Sequence, residues 1–108
     1  MQELTTQELK DKIKQGESFV LDLYATWCGP CKVMLENLKK VQGVITESEG
    51  KYNFNIYKFD IDSDKEFVVG ELGIRSVPTI KFYKEGVELE SRRGVMTPNE
   101  VFDVWAKL

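Results

Sequence analysis

Apolar residues along the chain change their spacing several times, and each change marks an element. Thr5-Thr6-Gln7-Glu8 has capping-box spacing, with Leu9 and Ile13 following at helical steps until Gly16. From Ser18 to Tyr24 apolar residues occupy both parities, the pattern of a strand covered on two faces. Ala25 to Pro30 predicts a loop. Met34, Leu38, Val41 and Ile45 then recur every three or four residues, which predicts a helix starting near Pro30. Its end is ambiguous, because Gly43 interrupts the pattern and Ser48-Glu49-Gly50 is a second stop signal. Phe54 to Phe59 predicts another interior strand. Ser63-Asp64-Lys65-Glu66 has the form of a capping box ahead of Phe67, Val68 and Leu72. Pro78 precedes a strand from Thr79 to Tyr83, and Lys84-Glu85-Gly86 turns it into Val87 to Glu90 as a hairpin. Thr97-Pro98-Asn99-Glu100 opens a last helix, with proline at the first helical position. Phe82, Phe102 and Trp105 are assigned to the core. The order helix, strand, helix, strand, helix, hairpin, helix predicts an α/β fold: a mixed sheet with an antiparallel edge and helices on both faces.

A chain of 108 residues has room for one core, and a single domain over residues 1–108 is expected. No apolar run approaches the roughly 20 residues that span a bilayer. The start, Met1-Gln2-Glu3-Leu4, lacks the basic and apolar regions of an export signal, which predicts a cytoplasmic protein. A net charge of −3 is too small to imply a nucleic-acid or membrane partner, and a monomer is expected. The absence of histidine has more force, because it excludes Ser-His-Asp and Cys-His nucleophiles. Two cysteines are too few for a Cys₄ or Cys₂His₂ zinc site in one chain, and Lys32 after Cys31 excludes haem attachment. Redox work is what remains for the pair. The alternatives are a passive disulfide or idle thiols, or two chains sharing a metal through four cysteines.

A bond between Cys28 and Cys31 would close a very short loop, so it would stabilise the fold little and open readily. Cys28 falls at the start of the helix that begins near Pro30, where unpaired N–H groups and the helix dipole favour an anion. Its pKa is expected to fall from about 8.5 towards neutrality, making Cys28 the attacking thiolate. Cys31, inside the first turn and less exposed, is expected to resolve the mixed disulfide. Pro30 suits a helix start, and Gly29 leaves space for a partner's backbone. Asp22 lies within the doubly buried strand, where a lone carboxylate is costly unless it is paired or has a task.

The stretch Ala25-Thr26-Trp27-Cys28-Gly29-Pro30-Cys31-Lys32 resembles the active site of the thioredoxin family, and Gly73-Ile74-Arg75-Ser76-Val77-Pro78-Thr79 is similar to that family's cis-proline loop. Lys84-Glu85-Gly86 and Gly94 also stand where the family has a turn and a substrate-facing glycine, so the resemblance covers essentially the whole chain. It implies a protein-disulfide reductase with no bound cofactor, recycled by a separate NADPH-dependent flavoprotein reductase and acting on disulfide-containing clients. It implies that Asp22 exchanges a proton with Cys31 and that Lys58 pairs with Asp22. It also implies a cis Val77–Pro78 bond that leaves the Val77 backbone free for substrate, with Trp27 and Gly94 forming a shallow rim around Cys28. No G-x-G-x-x-G occurs, in keeping with an external electron source. Glu36 replaces a proline common in the family, which predicts a straighter helix; residues 42–51 resemble an insertion, and Tyr24 holds an aromatic position. Arg92 and Arg93 lie near the expected rim and would favour acidic partners, or are simply solvated.

Two rival readings remain. An oxidase or isomerase would use the same chemistry, but such proteins usually carry histidine beside the second cysteine, where this chain has Pro30. A structural subunit built on the same fold would not need the cysteines at all.

Overall fold

Strand β2, Phe19–Tyr24, takes the middle of a five-stranded sheet, which is why apolar residues fill both its parities. The computed structural model describes residues 1–108. In chain order the other elements are β1 (Gln2–Glu3), α1 (Thr6–Lys14), α2 (Gly29–Glu47), β3 (Asn55–Asp60), a 3₁₀ turn (Ile61–Ser63), α3 (Lys65–Gly70), β4 (Thr79–Lys84), β5 (Val87–Arg93) and α4 (Pro98–Ala106). The strand order is β1-β3-β2-β4-β5. β1, β3 and β2 run parallel, whereas β4 is antiparallel to β2 and β5 to β4.

Side-chain parity divides the core into two layers. Phe19, Leu21 and Leu23 pack with Leu9 of α1 and with Phe67 and Val68 of α3. Val20 faces the other way, with Ile80 and Phe82, against Met34, Leu38 and Val41 of α2 and Val101 and Val104 of α4. Asp22 has the parity of Val20 and so faces α2. Phe82 is fully buried, but Phe102 and Trp105 are only half-buried, joining Tyr52 and Phe54 in an aromatic group at the edge of that layer.

Three details depart from the sequence reading, and a fourth, the end of α2, falls at the second of the two stops the sequence offers. β1 was not expected: it is two exposed polar residues, recruited by pairing with Tyr57 and Lys58. α2 passes through Gly43 and Glu36 without a break for 19 residues, and ends at Ser48, whose backbone N–H and hydroxyl both donate to the Ile45 carbonyl. Residues 42–51 are therefore the last turns of this helix and the turn after it. α3 is capped by Asp64, not Ser63: the Asp64 carboxylate accepts from Phe67 N–H, while Ser63 donates to the Asp60 carbonyl. The hairpin turn is Glu85-Gly86 alone, both with positive φ (53° and 81°), and β5 continues to Arg93.

Candidate active site

The end of β2 delivers the chain to the N-terminus of α2, and Cys28 is the capping residue there. Its sulfur accepts the Cys31 backbone N–H at 3.2 Å, so one of the helix's orphan donors points at the sulfur. Cys28 and Cys31 are bonded as a disulfide with their Cα atoms 5.3 Å apart. Pro30 occupies the first turn of α2 without loss of a hydrogen bond. Around exposed Gly29 a Cβ would meet nothing within 4 Å, so this side of the pair is open.

Both cysteines are buried as residues, 5% and 3% exposed, so exposure does not separate them as the sequence reading expected. Their neighbours do. A cleft of about 210 Å³ is lined by Cys31, Asp22, Tyr24, Lys58 and Leu35 among others, and Cys28 is not among its walls. Asp22 is 1% exposed and neither carboxylate oxygen has a hydrogen-bond partner in the protein. Burial pushes its pKa up from 3.8 to about 7, against a smaller downward pull from the Lys58 charge. Lys58 stands opposite Asp22 in the β2–β3 register, but it forms no ion pair with it. Its ammonium lies 5.5 Å over the Tyr24 ring. The expected pairing is thus a long-range charge effect across the cleft. Tyr24 is held from the far side, donating its hydroxyl to Glu3 of β1.

The Val77–Pro78 peptide bond is cis, and the Val77 side chain packs against Ala25, Cys28 and Cys31. Gly94, at φ 91°, donates its N–H to the Pro78 carbonyl at 2.8 Å, which brings the end of β5 beside this loop. Trp27 is 69% exposed, so ordinary core packing does not explain it; its indole N–H donates to Asp62 at 2.8 Å. Two neighbours were missed in the sequence. Ile61 packs against the cysteine cluster, and Asp62 fixes Trp27. The need of a Trp N–H for an acceptor was the available signal, but the 3₁₀ turn that supplies it lies 35 positions away.

The thioredoxin family model matches residues 1–107. The chain is 32% identical to a thioredoxin of Mycoplasmoides gallisepticum over 87% of each chain. It is 31% identical to a thioredoxin of Rickettsia felis, over 93% of this chain and 90% of the relative. The chain belongs to the thioredoxin family. Among solved structures, oxidised mitochondrial thioredoxin 3 of Saccharomyces cerevisiae superposes with a TM-score of 0.82 at 28% identity, covering 100% of this chain and 95% of that one. The fold expected from the sequence is therefore the thioredoxin fold. Thioredoxins are thiol–disulfide oxidoreductases that work without a bound cofactor, with reductases and disulfide clients as partners, and the Cys28–Cys31 disulfide makes this chain a protein-disulfide reductase. No helix is long and apolar enough to cross a membrane.

Proposed function

We propose that residues 1–108 act as one monomeric cytoplasmic unit in which Cys28 attacks and Cys31 resolves, with Asp22 moving the proton between the two steps. The Cys28 thiolate is favoured by the Cys31 N–H and the start of α2. It attacks one sulfur of a client disulfide, and the other sulfur leaves as a thiolate. The Cys31 thiol then gives its proton to the Asp22 carboxylate, and the new thiolate attacks the Cys28 sulfur. The second client sulfur departs, two electrons have passed to the client, and the proton on Asp22 returns to the released dithiol through the cleft. A carboxylate with a pKa of about 7 is suited to both directions of that transfer.

The observation that carries this assignment is the cleft that Asp22 shares with Cys31 and not with Cys28. Lys58 tunes Asp22 through charge across the same cleft. Trp27, Gly29, Pro30, Val77, Pro78 and Gly94 form the client platform. The Val77 backbone pairs with an extended client segment, and Gly29 and Gly94 leave room for it. Electrons return from a separate NADPH-dependent flavoprotein, the reductase partner.

The test is Cys31→Ser. Without the resolving sulfur, mixed disulfides through Cys28 should accumulate on incubation with disulfide-bonded protein, visible by mass spectrometry and released by dithiothreitol. Cys28→Ser should trap nothing comparable. Adducts on Cys31 in the second variant, with none on Cys28 in the first, would reverse the roles.

A further inference from the structure

On the sheet face shared with α1 and α3, the ends of β4 and β5 carry a polar groove of about 280 Å³. Its walls include Arg75, Thr79, Lys81, Ser91 and Arg93. Register explains why these residues meet: Thr79 stands opposite Arg93 and Lys81 opposite Ser91, all on one parity. Arg92 takes the other parity and pairs with Glu90 at 3.6 Å, so only one of the two adjacent arginines serves the groove.

We propose that this groove selects clients by docking an acidic side chain, aspartate or glutamate, carried on the segment that flanks the client's disulfide. The inference rests on the disulfide-reductase reading and deepens it. Three basic residues line the groove in a chain whose net charge is −3, so the groove runs against the sign of the whole molecule. Glu88 offsets one of them, holding Lys81 at 2.7 Å. Arg75 and Arg93 are exposed and form no ion pair. Lys81 is 4% exposed, and its ammonium has three protons but makes one hydrogen bond, to Glu88. A carboxylate seated there gains charge-assisted hydrogen bonds from the two unpaired guanidinium groups.

The groove also adjoins the client platform. Arg75 lies two residues before Val77, which packs on the cysteine pair. Thr79 follows Pro78, and Gly94, next to Arg93, is bonded to the Pro78 carbonyl. At a strand rise of about 3.3 Å per residue, a client segment paired with Val77 reaches the groove within about three to five residues of its cysteine.

The experiment uses the full chain and three synthetic disulfide peptides, identical except for two positions four residues to either side of the disulfide: both Asp, both Asn or both Lys. With the wild type at low salt, kcat/KM should rank Asp above Asn above Lys, with about five-fold between Asp and Asn. The preference should shrink in 0.5 M NaCl and vanish in Arg75→Gln/Arg93→Gln, while the Asn peptide is reduced at the wild-type rate by both proteins. Equal rates for all three peptides with the wild type, or a preference that survives in the double variant, would overturn the docking proposal alone. Failure to reduce even the Asn peptide would instead remove the reductase reading and the proposal with it.

Discussion

At Asp22 the protein keeps a carboxylate where an apolar side chain would make a more stable sheet. Burial raises its pKa in the folded state from 3.8 to about 7, so the native state holds a proton that the unfolded chain has already released. The native state therefore loses stability as pH rises through the window from about 4 to 7, and the loss is complete above it. Asp22→Asn removes this titration. It should raise the free energy of unfolding above pH 7 by up to about 4 kcal/mol, the full shift converted at 1.36 kcal/mol per unit. The gain should shrink through the window and vanish below pH 4, as urea melts at a series of pH values would show. The same variant should slow disulfide reduction at pH 7 and flatten the rate inflection near that pH; an unchanged pH–rate profile would make Asp22 purely structural. Asp22 could be picked out in the sequence because a carboxylate inside an apolar strand is conspicuous. The cysteine pair could be picked out because its spacing suits exchange and little else. Lys58 was less legible: register puts it beside Asp22, but the direction of its side chain, over Tyr24, is a tertiary outcome. Ile61 and Asp62 left no local signal, since each acts on residues far away in the chain.

Elements were legible wherever a local rule also satisfied the global fold. The capping boxes at Thr5 and Thr97 are both formed, each with its glutamate reaching back to the cap N–H. Ser63 failed as a cap because the chain first needs a 3₁₀ turn to leave β3, which moves the cap to Asp64. β1 has no apolar signal, and only pairing with β3 makes it a strand. Two glycines show the difference between local and tertiary demand. Gly43 is exposed inside α2, in open space, and the helix survives it because Met34, Leu38 and Val41 are packed on the sheet. Gly43→Ala should therefore stabilise the protein by about 0.5–1 kcal/mol. Gly86 has φ 81°, and a Cβ there would lie 2.3 Å from the Ile13 carbonyl oxygen, so the hairpin turn and the end of α1 could not keep their approach. Gly86→Ala should cost about 2 kcal/mol or more. Denaturant titration of the two oxidised variants side by side checks both signs, and similar values would mean that the α1–hairpin contact yields easily.

For the molecule as a whole, the reduction potential of the pair sets how strongly it donates electrons. A separation of about 90 mV divides the family's reducing members, near −270 mV, from isomerases near −180 mV, and corresponds to about 4 kcal/mol between dithiol and disulfide. Anything that stabilises the Cys28 thiolate favours the dithiol and makes the pair more oxidising. Here that support is modest: one backbone N–H at 3.2 Å and the end of a helix, with Gly29 and Pro30 between the cysteines and no histidine in the chain. Across the cleft, Asp22 adds negative charge once ionised, which further opposes a second anion at the pair. These terms all leave the dithiol without special stabilisation, so the pair should donate electrons. Equilibration of the full chain against glutathione and dithiothreitol buffers at pH 7, with the oxidised fraction read by thiol alkylation, should give a potential near the family's roughly −270 mV. A value of −180 mV or above would mean that some group stabilises the thiolate far more than the Cys31 N–H can, and the pair would then be an oxidant or isomerase. Asp22→Asn adds a second reading: with the opposing charge gone above pH 7, its potential at pH 8 should move towards the oxidising side.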